Sequence, residues 1–247
     1  MKILVVGGGG REHAIVWKIA QSPKVDKIYC APGNGGIAEL AECVDIAATD
    51  IENMVKFAKD NAIDLVMVAP DDPLVLGMVD AMEKEGIRAF GPRANAAIIE
   101  GSKAFSKELM KKYNIPTANY EVFTDSTSAI DYIKAQNTFP TVIKADGLAL
   151  GKGVIIAQNL EEAEQAVREM IDDGKFGKSG SRVVIEEFLT GPEVSVLAFT
   201  DGKTVKPMVS AQDHKRAYDN DEGLNTGGMG TFSPSRLYDD AKAEECM

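Results

Sequence analysis

The sequence predicts an α/β protein in which an N-terminal domain built on a parallel sheet is followed by a smaller α+β section. Two observations lead to this fold class. Over residues 1–101, short β-branched runs alternate with helical segments, which is typical of a parallel sheet covered on both faces. Over residues 139–156, two β-rich runs flank a loop of glycine and lysine, which predicts a hairpin.

Composition and charge limit the functions that such a fold could serve. The 247 residues suffice for one large or two ordinary domains, and 45% hydrophobic with 26% charged residues is typical of a soluble globular protein. A net charge of −11 repels nucleic acid, so local cations must hold any phosphate ligand. Without an apolar stretch of membrane-spanning length or a signal-peptide pattern, no membrane association and a cytoplasmic location are expected. Three cysteines without metal-ligand spacing predict reduced structural thiols.

The first predicted strand covers residues 3–6 and leads through a glycine loop into a mostly apolar helix that includes residues 14–20. The loop matches G-x-G-x-x-G only in part, because His13 stands where the third glycine belongs. This gives a nicotinamide site little support and leaves a smaller phosphate or a carboxylate at the helix N-terminus open. His13 is interpreted as a helix residue with a local hydrogen bond rather than as a catalytic base.

Strands and helices continue to alternate up to residue 90. Further strands are predicted at residues 27–30, 63–69 and 87–90, and helices at residues 51–60 and 73–84. Three loops rich in glycine or proline follow strands of this sheet, at residues 7–11, 32–36 and 70–73. Ligands of parallel sheets bind beyond the carboxyl ends of the strands, so these loops predict a substrate cleft. Turn formation alone is the competing explanation.

The second section begins with a helix that Ser102 is expected to cap, with Phe105, Leu109 and Tyr113 recurring every fourth residue. Lys103 lies in the first turn, where a cation opposes the helix dipole unless an anion binds there. A solvated lysine is the alternative.

The glycine hairpin is the element around which this section is organised. Glycines 147, 151 and 153 lack Cβ atoms, so backbone N–H groups can approach an anion, and Lys144 and Lys152 add positive charge. The loop differs from the familiar P-loop because a strand follows it instead of a helix. It is suited to covering a polyphosphate, although a flexible surface hairpin would have the same composition.

The remaining elements are two helices and three strands. Helices are predicted at residues 124–136 and from a capping box at Asn159 and Glu162 up to Gly174. Strands are predicted at residues 182–189, 193–200 and 203–209. Glu186 and Glu187 are adjacent on a strand and cannot both face inward, so at least one is expected to be solvated or to bond a ligand.

Residues 212–218 and 225–230 mix both charge signs with an imidazole and glycines, without apolar periodicity. This composition predicts a loop, and either a functional loop or a structural cluster of ion pairs would explain it.

Eight motifs occur in a particular order along the chain. They are GGGGREHA at 7–14, APGNGG at 31–36, PDDPL at 70–74, GSKAFSK at 101–107, KADGLALGKGV at 144–154, EEFLTGPEVS at 186–195, QDHKRAYDND at 212–221 and NTGGMGTFSP at 225–234. Together they resemble the family of phosphoribosylamine-glycine ligases, also called glycinamide ribonucleotide synthetases. The resemblance extends from Met1 almost to the last residue.

The resemblance implies a Rossmann-like pre-ATP-grasp domain over residues 1–101 and part of an ATP-grasp domain over residues 102–247, with a small lid subdomain over residues 117–190. It also implies an activity of de novo purine biosynthesis. Glycine is joined to 5-phosphoribosylamine through a glycyl phosphate, giving glycinamide ribonucleotide, ADP and phosphate. The partners implied are these small molecules, and the intact enzyme is expected to be a monomer.

The same resemblance implies roles for individual residues. Contacts with the ATP phosphates are implied for Lys103 and Lys144, beneath a flap that includes Gly147, Gly151, Lys152 and Gly153. The adenine pocket is implied at Glu186, Glu187, Phe188 and Leu189, and the ribose contact at Glu193. The residues that would face the reacting groups, together with Lys144, are Asp213, Lys215, Arg216 and Asn225.

Phosphoribosylamine would be held by Gly9, Gly10 and Asp71, with help from Asp213 and Arg216. Residues 69–72, Ala-Pro-Asp-Asp, depart from the Gly-Pro-Glu of the family, which weakens the assignment of Asp71.

Magnesium is the metal that the resemblance implies, and its Glu and Asn ligands would lie beyond residue 247. No metal ligand is therefore assigned in this chain, which is expected to be inactive by itself. Three other functions stay open. They are an ATP-binding regulatory module, a structural remnant with exposed core, and an ATP-grasp ligase for another acid or amine.

Overall fold

The computed structural model describes residues 1–148 and 153–247. The chain forms two compact units, one containing residues 1–148 with 153–186 and the other containing residues 187–247. None of the helices in the described part of the chain combines the length and apolar character that a bilayer crossing requires.

The elements of the N-terminal region are β1 (Lys2–Gly7), α1 (Gly10–Ile19), β2 (Lys27–Pro32), β3 (Glu42–Cys43), α2 (Ile51–Asp60), β4 (Leu65–Val68), α3 (Asp71–Val75), α4 (Met78–Lys84) and β5 (Ala89–Phe90). The five strands form a parallel sheet in the order β3-β2-β1-β4-β5, as the alternating pattern predicts. Strand β3 is not predicted, because two residues give no periodicity to recognise.

The prediction of a single helix over residues 73–84 is wrong. Two helices occupy this region, and Gly77 separates them with a φ of +88°. A left-handed residue cannot continue an α-helix, so the chain changes direction there.

Strand β1 explains why the sheet has helices on both faces. Its side chains alternate, so Leu4 and Val6 join one buried cluster while Ile3 and Val5 join another. The first cluster includes Met54 of α2. The strand therefore reads as a continuous apolar run, as expected of a strand buried on both sides.

The three loops at the carboxyl ends of the strands meet, which confirms the predicted edge. The side chain of Asn34 donates a hydrogen bond of 2.9 Å to the carbonyl of Gly8, and the N–H of Gly33 donates to the carbonyl of Gly7 at 3.1 Å. A Cβ at Gly7 would lie 2.9 Å from Pro70 Cγ. Glycine is thus required where the first and third loops touch.

The next elements are α5 (Ala94–Gly101), α6 (Lys103–Lys112), β6 (Tyr120–Phe123), α7 (Ser126–Gln136), β7 (Thr141–Ala145), β8 (Val154–Ala157), α8 (Leu160–Ile171) and β9 (Val183–Glu187). Their strands form a second sheet in the order β6-β9-β7-β8, with the glycine hairpin between β7 and β8. Helices α7 and α8 cover this sheet through a core that includes Ile133, Ile143 and Val167.

The predicted helix starts of this region are confirmed. Ser102 accepts a hydrogen bond from the N–H of Phe105 at 3.1 Å, and Asn159 accepts one from the N–H of Glu162 at 3.0 Å. Such side-chain caps satisfy N–H groups that the helix itself leaves free.

Residues 187–247 contain two antiparallel ribbons and a terminal helix. The elements are β10 (Ala198–Thr200), β11 (Val205–Pro207), β12 (Gln212–Tyr218), β13 (Glu222–Phe232) and α9 (Asp240–Cys246). The strand expected over residues 193–200 is confirmed only for its last three residues.

The prediction of a loop over residues 212–218 and 225–230 is wrong, because these residues form the ribbon of β12 and β13. Backbone pairing builds this ribbon, with irregularities on either side of Arg216 and without a continuous apolar face. Polarity and missing periodicity therefore gave no indication of a strand.

Candidate active site

The carboxylate of Glu186 lies at the centre of a buried group of charges. Glu186 is in β9, and its side chain is 5% exposed. Its Oε2 atom lies 3.0 Å from Nζ of Lys144 in β7 and 3.0 Å from Nζ of Lys107 in α6. Two ammonium groups thus share one carboxylate oxygen, which leaves the group with an excess positive charge.

The other oxygen of the same carboxylate has no protein partner. Oε1 of Glu186 is buried and accepts no hydrogen bond from the described residues. Buried carboxylate oxygens are normally satisfied. This oxygen therefore has unused capacity to accept a hydrogen bond.

Lys103 brings a further cation to this region. Its Nζ donates a hydrogen bond of 3.0 Å to the carbonyl of Gly147, at the beginning of the glycine loop. Burial lowers the pKa of Lys103, the carboxylate of Asp146 opposes this shift, and the positive charge of Lys144 adds to it. Lys103 and Lys144 therefore interact electrostatically.

Hydrogen bonds fix the two ends of the glycine loop, at residues 147–148 and 153. Gly147 donates to the carbonyl of Ser179 at 3.3 Å, and the hydroxyl of Ser179 donates to the carbonyl of Leu148 at 3.1 Å. On the other strand, Gly153 accepts a hydrogen bond of 2.8 Å from the N–H of Ala145. Gly151 and Lys152, which are assigned to the flap, lie outside the described residues.

Asp146 is a central residue of this region that the sequence did not single out. Its carboxylate accepts hydrogen bonds from the N–H of Ala104 at 2.7 Å, from the hydroxyl of Ser102 at 3.0 Å and from Nε of Arg182 at 2.9 Å. Its own backbone carbonyl accepts from the N–H of Lys103 at 3.0 Å. The helix that carries Lys103 is thereby fixed to the strand that carries Lys144.

Two buried residues, Glu12 and Lys107, were also missed. Their side chains are polar members of helices, and this pattern predicts solvent exposure. The capping spacing between Gly9 and Glu12, and the buried carboxylate of Glu186, are the signals that could have indicated them.

At the edge of the N-terminal sheet, Glu12 binds its own loop. The N–H of Gly9 donates to Oε2 of Glu12 at 2.6 Å, and Nε of Arg11 donates to Oε1 at 2.8 Å. The N–H of Gly9 is thus already satisfied by a carboxylate. Gly10 faces open space at its Cβ position, and Asp71 is exposed at the start of α3.

In the unit formed by residues 187–247, Lys215 is paired with carboxylates. It bonds Glu193 and lies 3.6 Å from Oδ2 of Asp213. The hydrogen bond with Glu193 is the largest cause of a raised pKa of Lys215. Oδ1 of Asp213 is buried and accepts no hydrogen bond from the described residues.

Arg216 and Asn225 are register partners in the same ribbon. Nη1 of Arg216 donates to the carbonyl of Gly223 at 2.6 Å, and the side chain of Asn225 lies outside what the structure describes. Among the residues assigned to adenine, Glu187 and Leu189 are exposed and Phe188 is partly buried.

No group of three or more His, Cys, Asp or Glu side chains in the described ranges could hold a metal ion.

Comparison with solved structures defines the class of protein. Phosphoribosylamine-glycine ligase of Thermotoga maritima is 32% identical with a TM-score of 0.83, over 99% of this chain and 59% of that chain. The biotin carboxylase domain of Hydrogenobacter thermophilus 2-oxoglutarate carboxylase shares the fold alone, with 17% identity and a TM-score of 0.79 over 99% of this chain and 55% of that chain. The architecture is that of an ATP-grasp protein in which an α/β domain precedes the ATP-grasp domain in the sequence.

Two family models define the particular family. The N domain of phosphoribosylglycinamide synthetase matches residues 1–100, and its ATP-grasp (A) domain matches residues 101–247. The chain therefore belongs to the phosphoribosylglycinamide synthetase family.

Relatives named phosphoribosylamine-glycine ligase agree with this family. That of Halalkalibacterium halodurans is 53% identical over all of this chain and 58% of its own length, and that of Haemophilus influenzae is 55% identical over 95% of this chain and 55% of its own length. The chain thus spans somewhat more than half the length of these relatives.

Proposed function

We propose that this chain carries the nucleotide and substrate sites of a phosphoribosylamine-glycine ligase. In this reaction, ATP is converted to ADP and phosphate while glycine is joined to 5-phosphoribosylamine to give glycinamide ribonucleotide, a step of de novo purine biosynthesis. The observation that carries the proposal is the group formed by Lys103, Lys144 and Glu186 at the root of the glycine hairpin, in a member of this family.

The charges of this group fit ATP. A triphosphate needs local cations because the chain as a whole carries a net charge of −11. Lys103 and Lys144 provide two such cations, and Nζ of Lys103 bonds the backbone carbonyl of Gly147. The free Oε1 of Glu186 fits an amino donor such as the exocyclic amine of adenine.

The remaining nucleotide contacts follow the family assignments. Glu187, Phe188 and Leu189 would contact the base, and Glu193 would bind the ribose hydroxyls. Gly151, Lys152 and Gly153 would complete the flap over the phosphates.

The chemistry is proposed to proceed through two displacements. A carboxylate oxygen of glycine attacks the γ-phosphorus, the bond to the β,γ-bridging oxygen breaks, and ADP leaves with that electron pair. The amine of phosphoribosylamine then attacks the acyl carbon, and phosphate leaves as the amide forms and the nitrogen loses a proton. Because an anion attacks a polyanion in the first step, cations are needed before a base is.

Lys215 and Arg216 are proposed as the cations of the reacting groups. The raised pKa of Lys215 keeps its ammonium protonated at neutral pH. Asp213, with one buried oxygen that accepts nothing from the described residues, is proposed to accept a proton or a hydrogen bond from an amino group of the substrates. Asn225 would orient the same groups. Magnesium would supply further screening of charge, and its ligands are proposed to lie outside the described residues.

Phosphoribosylamine is proposed to bind at the loops of the N-terminal sheet. Gly10 and Asp71 are open to a ligand there, whereas the N–H of Gly9 would reach a ligand only if Glu12 released it. Gly9 is therefore proposed to contact the ligand through its Cα atom, while its N–H stays bonded to Glu12.

ATP binding by the purified chain is the first test. Isothermal calorimetry with Mg-ATP should show binding that Lys144→Met weakens at least about tenfold, since a charge-assisted contact is lost. Lys56→Met, a change at an exposed residue of α2, is the matched control and should leave the affinity unchanged. Equal affinities in all three proteins would contradict the proposal.

Substrate choice is the second test. ADP formation and amide formation are measured with 5-phosphoribosylamine and either glycine, alanine or bicarbonate. A preference for glycine is expected wherever turnover occurs, and a preference for bicarbonate would instead assign another ATP-grasp ligase. Saturable ATP binding that no acid or amine alters would favour a regulatory module.

A further inference from the structure

Lys107 and Lys144 contact the same carboxylate oxygen but differ in their surroundings. Each Nζ lies 3.0 Å from Oε2 of Glu186. The Lys107 side chain is 7% exposed and the Lys144 side chain is 27% exposed. Lys144 is therefore the more accessible of the two lysines to a ligand in the solvent.

Lys107 is fixed by several groups in addition to Glu186. It donates to the hydroxyl of Thr117 at 2.7 Å and to the carbonyl of Ala118 at 3.3 Å, and its Nζ lies 5.4 Å from the ring centroid of Tyr120. These contacts satisfy the donors of an ammonium group and add a cation–π interaction. The Nζ of Lys107 is therefore held in a fixed position in the interior.

A second cation is useful if Lys144 has to move. Removing the last positive partner from a buried carboxylate is strongly unfavourable, because an uncompensated charge is left in a medium of low polarity. With Lys107 in place, Lys144 can leave Glu186 and the carboxylate still keeps an ion pair.

We propose that Lys107 is a positioning residue that serves as the permanent counter-ion of Glu186 and thereby releases Lys144 to bind the phosphate groups of a nucleotide. This inference rests on the nucleotide site proposed above, which gives Lys144 its ligand. Lys107 itself does not touch the nucleotide.

Acylation of lysines by acetic acid N-hydroxysulfosuccinimide ester, followed by peptide mass spectrometry, tests the pair without any nucleotide. Lys107→Met leaves Lys144 as the sole cation of Glu186, so acylation of Lys144 should slow at least about threefold relative to Lys56, the internal reference. Adding Glu186→Gln should restore the rate, because the carboxylate that holds Lys144 is gone. An unchanged rate in Lys107→Met, or a slow rate that persists in the double variant, would overturn the proposal.

Glu186→Gln alone keeps the test decisive if Lys107→Met does not fold. In that variant Lys144 should acylate at least about threefold faster than in the wild type, while Lys107 stays protected by Thr117, Ala118 and Tyr120. Equal acceleration at both lysines would show that Lys107 is not fixed, and would refute the proposal.

Mg-ATP provides a second, separate readout. It should protect Lys144 from acylation in the wild type, and Lys107→Met should raise the concentration needed about tenfold. The same loss in the Glu186→Gln background would indicate direct contact of Lys107 with ATP and would contradict the proposal. Absence of protection in the wild type would refute the nucleotide site, whereas the acylation rates without ATP would still decide the role of Lys107.

Discussion

The carboxylate of Asp146 accepts a hydrogen bond of 2.7 Å from the backbone N–H of Ala104. This bond joins the first turn of α6 to the residue that follows β7. The two lysines assigned to the phosphates come from α6 and β7, so Asp146 determines how they are placed relative to each other.

Asp146→Ala should destabilise the protein by about 2 kcal/mol, because hydrogen bonds from a backbone N–H and from Arg182 to a buried carboxylate are lost. Urea unfolding followed by circular dichroism measures the change. Asp131→Ala, at an exposed position of α7, is the control and should stay within about 0.5 kcal/mol of the wild type. A similar cost in both variants would contradict the anchoring role.

Gly147→Ala should disturb the root of the glycine loop. The new Cβ would lie 2.4 Å from Oγ and 3.1 Å from Cα of Ser179, so backbone must shift, at a cost of roughly 1–3 kcal/mol. Ser179→Gly in the same chain removes the side-chain clash and should recover part of the stability in a melting experiment. Gly35→Ala, where a Cβ meets nothing within 4 Å, is the matched control.

The lowered pKa of Lys103 should make ATP binding sensitive to alkaline pH. Burial is the main cause of the shift, so the ammonium loses its proton below the ordinary lysine value of 10.5. Calorimetry between about pH 7 and about pH 10 should show affinity that is full below the lowered pKa and declines as pH rises through it. Lys103→Arg stays charged and should show no such decline.

The stability of the free protein should respond to Lys103 in the opposite direction. The unfolded chain binds this proton more tightly than the folded chain does. Between the two pKa values the free energy of unfolding should therefore rise with pH, and Lys103→Arg should abolish this contribution. Equal slopes in the two proteins would show that Lys103 does not titrate in this interval.

Cysteine reactivity should separate the three thiols. Burial raises the pKa of Cys30 to about 12, so little thiolate is present near neutral pH, whereas Cys43 and Cys246 are exposed. Iodoacetamide at about pH 8 should modify these two in the folded protein and Cys30 only after unfolding in urea. Peptide mass spectrometry gives the three rates, and fast modification of folded Cys30 would contradict its burial.

Much of the fold could be predicted because local signals agree with the tertiary structure. The apolar run of β1, the Ser102 cap and the Asn159 cap each depend on residues adjacent in sequence, and all three are confirmed. The break at Gly77 was missed because a single glycine is tolerated within many helices. The ribbon of β12 and β13 was missed because its pairing partners are defined by backbone register rather than by side-chain pattern.

The sequence predicted the charged residues of the candidate site, but it did not predict the residues that hold them in position. Lys103, Lys144 and Glu186 lie in recognisable motifs, and the structure brings them together. Asp146 bonds Ser102, which lies 44 positions before it in the sequence. Lys107 pairs with Glu186, which lies 79 positions after it. Separations of this size leave no periodic trace in a single sequence.

The ribbon of β12 and β13 has a consequence for amide hydrogen exchange. Two strands without a continuous apolar face gain little from burial, so water competes for their backbone hydrogen bonds. Their amides should exchange with deuterium far sooner than those of β1, whose side chains are enclosed on both faces. The residues proposed to meet the reacting groups lie on this ribbon. An anion bound there should therefore slow amide exchange more in this ribbon than in the other strands.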